Sequence, residues 1–263
     1  MTEPTATMGF QEKQLFHAIL FDQPVEFSTA LAKNADVRAI EPHGGLSAVG
    51  LAAHYARVHF VKHLLAHGAN VHDTGPEGVT PAMCAVRSNS LDCLKLLMSH
   101  GADLHAIDAK GRNALTWACD HEASSMVEFL LAQGLDPNFQ IEGRHGTPLT
   151  ISCGAGDLDS AKLLLNAGAD PNAVASASGL GPLHCCAIIS RASSIDCAEL
   201  LLSRGADLHA VDRSGSTPME FAMSQGSYSL AASIGAWIAR ERERAELTEA
   251  SSPAETAARR VRI

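Results

Sequence analysis

Apolar residues along this chain come in short helical bursts, five of which stop at a glycine. Between Gly68 and Asp103, Leu91, Leu94, Lys95, Leu97 and Met98 follow a helical period, with the apolar stripe on Leu94, Leu97 and Met98. A shorter helix is predicted before it. Thr80 can cap that helix, Pro81 sits in the first turn where a missing N–H costs nothing, and Ser88-Asn89-Ser90 breaks it just past Arg87. Gly101 ends the second helix because it tolerates the left-handed backbone of a C-terminal cap. Turn formers and short polar residues follow, which suits an extended finger. One unit is therefore two helices and a loop.

The unit recurs. Gly-Ala-Asn or Gly-Ala-Asp starts at Gly68, Gly101, Gly168 and Gly205, with Gly134-Leu135-Asp136 between, in steps of 33, 33, 34 and 37 residues. Thr-Pro marks the first helix at Thr80, Thr147 and Thr217, and Ser47, Asn113 and Gly181 fill the same slot elsewhere. Two markers that hold phase over most of a chain identify a repeat protein. The first-helix words GVTPAMCA, HGTPLTIS, GLGPLHCC and GSTPMEFA, and the second-helix ends HLLAHGAN, LLMSHGAD, FLLAQGLD, LLLNAGAD and LLLSRGAD, resemble the ankyrin repeat. His184 is the one intact His of the family's T-P-L-H word.

This resemblance implies an all-α ankyrin-repeat solenoid of about seven units over 10–245: 10–40, 41–73, 74–107, 108–140, 141–174, 175–211 and 212–245. The first and last are degenerate caps, for which a polar outer face is expected. The sixth carries three extra residues between its helices, in SRASSI (190–195). Residues 1–9 and the Ser-, Pro-, Ala- and Glu-rich 246–263 are expected to be disordered.

Composition narrows the function. With 46% hydrophobic but 5% aromatic residues, the core must be built from Ala and Leu. A formal charge of −9 argues against nucleic acid and anionic lipid and favours a basic partner. No run of 18 apolar residues is present, so no membrane span is expected, and the location expected is cytoplasmic. The seven cysteines lack a Cys-x-x-Cys pair; Cys93 and Cys197 share a second-helix slot where Val or Ile is expected and Cys119 and Cys153 a small-residue slot of the first helix, so they read as reduced structural thiols. Cys185-Cys186 beside His184 is read the same way, because that His holds the family's ordinary slot. His59, His63 and His67 share one helix face, yet no third ligand of suitable geometry is evident. They read as solvated residues. No metal, cofactor or catalytic residue is expected.

The family resemblance further implies a non-catalytic protein–protein interaction module, a scaffold or adaptor that is monomeric when unbound. Its partner would lie on the concave face, against finger tips and first helices. A dedicated inhibitor, a toxin-neutralising partner or a host-directed effector is the alternative within binding; a metal-dependent enzyme or sensor is the alternative of another class. The partner-binding residues expected are Tyr55, Arg87, Arg112, Asp120, His121, Arg144 and His145, a mixture of aromatic, Arg and acid found in interface hot spots. Trp117 is expected in the core. Asn138 and Asn172 hold the finger position that can be hydroxylated in this family; a structural role in the turn accounts for them equally.

Overall fold

A computed structural model describes residues 9–141, 146–189 and 191–250, with side chains to 247. Among them are seven helix pairs: α1 (Phe10–Phe21) with α2 (Pro24–Ala32), α3 (Ala48–His54) with α4 (Val58–Ala66), α5 (Pro81–Arg87) with α6 (Leu91–Ser99), α7 (Ala114–Asp120) with α8 (Ser124–Ala132), α9 (Pro148–Ala155) with α10 (Leu158–Asn166), α11 (Pro182–Cys185) with α12 (Ala192–Ser203), and α13 (Pro218–Ser224) with α14 (Tyr228–Ala250). The first helices α3, α5, α7, α9, α11 and α13 stack in order as one layer. The second helices pack behind them, and an Ala- and Leu-rich core runs between the layers.

Both sequence markers act through the backbone. In the first helix, the side-chain oxygen of Ser47, Thr80, Asn113, Thr147 or Thr217 accepts an N–H from the third helical residue, satisfying a donor that has no intrahelical partner. Gly181 has no such side chain; there His184 Nδ1 accepts the Gly181 N–H at 3.4 Å, and Nε2 donates to the Ser216 carbonyl of the next finger at 3.1 Å. At the other end, Gly68, Gly101, Gly134, Gly168 and Gly205 have φ of +86, +90, +87, +93 and +88°. After α6, the Gly101 N–H reaches the Met98 carbonyl at 2.9 Å and the Ala102 N–H reaches Leu97 at 3.0 Å. That 5→2 and 6→1 pair is a Schellman cap, and it recurs at each of the five glycines. The residue following each glycine turns back onto the core.

Fingers are closed by single backbone bonds, such as Glu41 N–H to Leu46 carbonyl at 2.8 Å and Asp108 N–H to Arg112 carbonyl at 3.0 Å. Isolated bridges Ile40–Ser47 and Ile141–Gly146 are the extent of β pairing among the described residues. Two finger asparagines staple successive units. Asn138 donates to the Gly168 carbonyl at 2.9 Å and accepts the Asp170 N–H at 2.8 Å; Asn172 does the same with Gly205 and Asp207 at 3.0 and 2.8 Å.

Three features depart from expectation. The last helix continues to Ala250 rather than giving way at 246, because RERERAELTEA is rich in strong helix formers with Glu and Arg interleaved. The rest of the expected tail, and residues 1–8, lie outside the described residues. The first unit leaves Phe10, Phe21 and Val25 exposed, so its outer face is not uniformly polar. In the sixth unit the insertion does more than lengthen a turn. It stops α11 after one turn and extends α12 toward its N-terminus, leaving Ile188 and Ile189 53% and 37% exposed.

Candidate functional site

The first helices present a nearly continuous floor. Along α5, Pro81 to Val86 are all buried, and Arg87, the last residue, is the first to emerge into solvent. The same geometry brings out Tyr55 after α3, Asp120 and His121 at the end of α7, and Ile188 and Ile189 after α11. Facing the fingers of the second to fourth units, this floor encloses a groove of about 800 Å³ lined by Leu46, His54, Tyr55, Glu77, Arg87, Lys110, Arg112 and Trp117 among others. A second hollow of about 440 Å³ lies farther along, lined by Asp120, Ile151, Gly154, Leu180, Ile188 and Ile189.

Arg112 does not stand free on this face. Its side chain is 11% exposed and folds back on the fully buried Asp108 carboxylate, with Nη2 and Nε at 2.8 and 2.9 Å from Oδ2. Asp108 also accepts the N–H groups of Lys110 and Arg112, both at 2.9 Å, and Trp117 Nε1 at 3.1 Å. The guanidinium stacks over the Trp117 ring at 4.1 Å, and its Nη1 reaches Asp120 at 2.9 Å. Burial alone would raise the Asp108 carboxyl, but hydrogen bonds and charge from Arg112, with the Lys110 amide, hold it below the usual carboxylate range. The reason Arg112 is a structural residue is this Asp108: a buried carboxylate needs a paired cation. Trp117 is in the core, 5% exposed, as its helix position predicts.

Arg87 is different. Among the described residues no ion pair involves it, although its charge reaches its neighbours. Burial foremost, then Arg87 and His121, depress the basicity of His54. His121 is likewise depressed, mainly by burial, with Arg87 and Arg112 adding to it against the opposing pull of Asp120. His54 Nδ1 is enclosed and has no hydrogen-bond partner. Tyr55 lies edge-on to the His54 ring at 5.0 Å and is 43% exposed. The structure thus brings Tyr55 and Arg87 into one groove with Arg112, whose ion pair holds Asp120 beside it. Arg144 and His145 lie outside the described residues. The role of Asp108 was not anticipated, although an acid four residues before Arg112 and nine before a Trp was a signal for it. The bulk of Ile188 and Ile189 was visible in the sequence; their exposure follows from the insertion.

The remaining chemistry-bearing residues are occupied with structure. His59 Nε2 lies 3.4 Å from Asp22 and its ring packs 3.9 Å from Phe60; His67 Nδ1 meets the His63 carbonyl at 2.8 Å. Among the described residues no three His, Cys, Asp or Glu are grouped so as to hold a metal. All seven cysteines are buried and free. Burial pushes the Cys84, Cys119, Cys185 and Cys197 thiols up to about 12, so they stay protonated at neutral pH. No described helix is long and apolar enough to cross a membrane.

Comparison with known proteins agrees with this architecture. The family model described as Ankyrin repeats (3 copies) matches residues 15–108, 49–141, 104–175 and 149–234. The chain is 33% identical over 160 residues to the Nuclear factor NF-kappa-B p105 subunit of Gallus gallus, covering 59% of this chain and 16% of that protein. It is 27% identical over 133 residues to the ankyrin repeat protein L371 of Acanthamoeba polyphaga mimivirus, covering 51% and 17%. The chain thus matches about a sixth of the length of each of these relatives. Among solved structures, the human ASB11 ankyrin repeat domain superposes with a TM-score of 0.71 at 24% identity, over 84% of this chain and 95% of that one.

Proposed function

Because the chain belongs to the ankyrin-repeat family, whose repeats are protein–protein interaction modules, we propose that it is a non-catalytic scaffold or adaptor, monomeric in the cytoplasm, that holds a protein partner on its concave face. One observation carries this reading. Residues at the ends of the first helices emerge from an otherwise buried layer, Tyr55 and Arg87 into one groove and His121 at the end of the neighbouring first helix, and none of the three belongs to the core. An exposed aromatic beside an unpaired Arg, flanked by pre-formed walls, is the composition on which interface energy concentrates.

The test compares two faces of one molecule. Tyr55→Ala with Arg87→Glu alters the groove and leaves the Arg112 cluster intact. Lys95→Glu with Lys162→Glu alters exposed residues of α6 and α10 on the opposite side. A partner captured from native cells should lose at least tenfold in affinity for the first pair and bind the second normally, with both variants retaining wild-type helicity. Normal binding by the first pair and loss by the second would place the working surface on the convex side and overturn the proposal.

A further inference from the structure

The concave floor changes character along its length. Near the N-terminal end of the groove every acid with a place in it is already engaged. The Glu41 carboxylate accepts the His43 N–H at 3.0 Å and that of Gly44 as well, Glu77 pairs with Lys110 at 2.9 Å, and Asp108 and Asp120 are held by Arg112. Arg87 is left over as a cation with no ion pair among the described residues, in a wall that also carries the unsatisfied His54 Nδ1 and the exposed Tyr55 hydroxyl. A chain of net charge −9 thus has, among the described residues lining this groove, one Arg or Lys without an ion pair. Farther along, the positions equivalent to Arg87 are Gly154 in the fifth unit and Ile188 in the sixth. Ile188, with Ile189, Ile151 and Leu180, makes the second hollow predominantly apolar.

Resting on the concave-face reading, we propose that the partner is recognised through an extended segment that places an Asp or Glu carboxylate on Arg87 and an aliphatic or aromatic side chain on Ile188 and Ile189. A guanidinium presents two parallel N–H donors that fit a carboxylate, and a free one in a partly enclosed groove gains most from an anion that arrives with its own charge. Charge counting selects the carboxylate over a phosphoryl group. One guanidinium without an ion pair balances a single negative charge, whereas among the described residues lining the groove the second charge of a phosphate would meet no further unpaired Arg or Lys. The spacing follows from the solenoid. Three unit steps separate the slots of Arg87 and Ile188, and stacked helices lie roughly 8–10 Å apart, so the anchors are about 24–30 Å apart. An extended chain rises about 3.3 Å per residue, which sets the acid and the apolar residue about eight residues apart. The overall acidity that favours a basic partner is therefore opposed locally, beside Arg87.

A random dodecapeptide display library selected on the immobilised full chain tests this. Enriched peptides should carry Asp or Glu about eight residues from Leu, Ile, Met or Phe. Synthesised singly, they should lose at least tenfold in affinity to Arg87→Gln and to Ile188→Asp, with Arg87→Lys recovering part of the loss and Lys95→Glu without effect. Replacing the acid with phosphoserine should not improve binding; a tenfold gain would overturn the choice of carboxylate. Peptides that are basic, or that bind Arg87→Gln as well as wild type while still losing affinity to Ile188→Asp, would overturn the acidic recognition alone. Binders that respond to Lys95→Glu and to neither groove variant, or a library that yields none dependent on the groove, would overturn this inference and the concave reading with it.

Discussion

Arg112→Ala should be among the most destabilising surface-accessible substitutions in the chain, although Arg87→Ala, one unit away on the same face, should be nearly silent. The magnitude follows from what each leaves behind. Arg87 is exposed and unpaired, so its truncation falls within about 0.5 kcal/mol. Truncation of Arg112 strips Nε, Nη2 and a full positive charge from a carboxylate with no solvent exposure. Removing one partner of a buried ion pair costs about 3–5 kcal/mol. Asp108 would keep the amides of Lys110 and Arg112 and the indole N–H of Trp117, which places the loss at the lower end, about 3 kcal/mol once the stacking on Trp117 is included. In an Asp108→Asn background, no charge is stranded, so the same Arg112→Ala change should cost about 1 kcal/mol, a coupling of about 2 kcal/mol. Urea unfolding followed by circular dichroism and by Trp fluorescence measures all four proteins. If Arg112→Ala unfolds within about 0.5 kcal/mol of wild type, or costs the same in both backgrounds, the buried pair does not hold the finger and the reasoning fails.

Further outcomes follow from neighbouring features. The Asp108 carboxyl titrates below its ordinary range when folded, so its contribution is fully present above about pH 4 and is lost as pH falls through the lowered value; an acid titration of Arg112→Ala should unfold at higher pH than wild type. His54 and His121 are depressed, so stability is present above their ordinary value of about 6.5 and declines as pH falls below it; His54→Gln with His121→Gln should flatten that decline in melting temperature between pH 7 and 5.5. Ala56 occupies the turn between α3 and α4 at φ +54°, where its counterpart in the fifth unit is Gly156, and Ala56→Gly should stabilise by about 0.5–1 kcal/mol in urea unfolding; destabilisation would show that the turn is not strained. Ending the chain before Asp212 removes the helices that cover Leu201 and Leu202, and should lower the urea midpoint and promote aggregation detectable by light scattering.

Much of this architecture was legible because its markers answer to local chemistry. Thr80 and Thr147 signal a helix start through a hydrogen bond that each makes within three residues. Gly101 signals a stop through its own torsion. Neither depends on what lies across the molecule. The exposure of Tyr55 and Arg87 was also legible, since Arg87 ends its buried first helix and Tyr55 follows one, each in a counted slot. Arg112 was not, because its place is decided by Asp108 and Trp117 across the finger. The exposure of Ile188 depends on how α11 and α12 share three extra residues, a competition between two helices that periodicity does not rank. Asn138 and Asn172 were placed in the right position, but the bonds that tie them to the following unit join residues about one repeat apart in the chain only through the stacking itself.

The five capping glycines carry a further implication for how such a chain can change. An added methyl group at Gly68, Gly101, Gly134, Gly168 or Gly205 would find no atom within 4 Å, so torsion rather than side-chain space selects glycine there, while the Gly168 and Gly205 carbonyls accept the Asn138 and Asn172 staples of the preceding unit. They are natural splice points. Cutting at Gly101 and rejoining at Gly134 excises one 33-residue cassette and restores the same kind of cap to the preceding helix end, and duplicating that cassette does the reverse. Phase survives either operation while the distance between Arg87 and Ile188 changes by one whole step. The length of segment the groove reads is therefore adjustable in quanta of about three residues, independently of the side chains that read it.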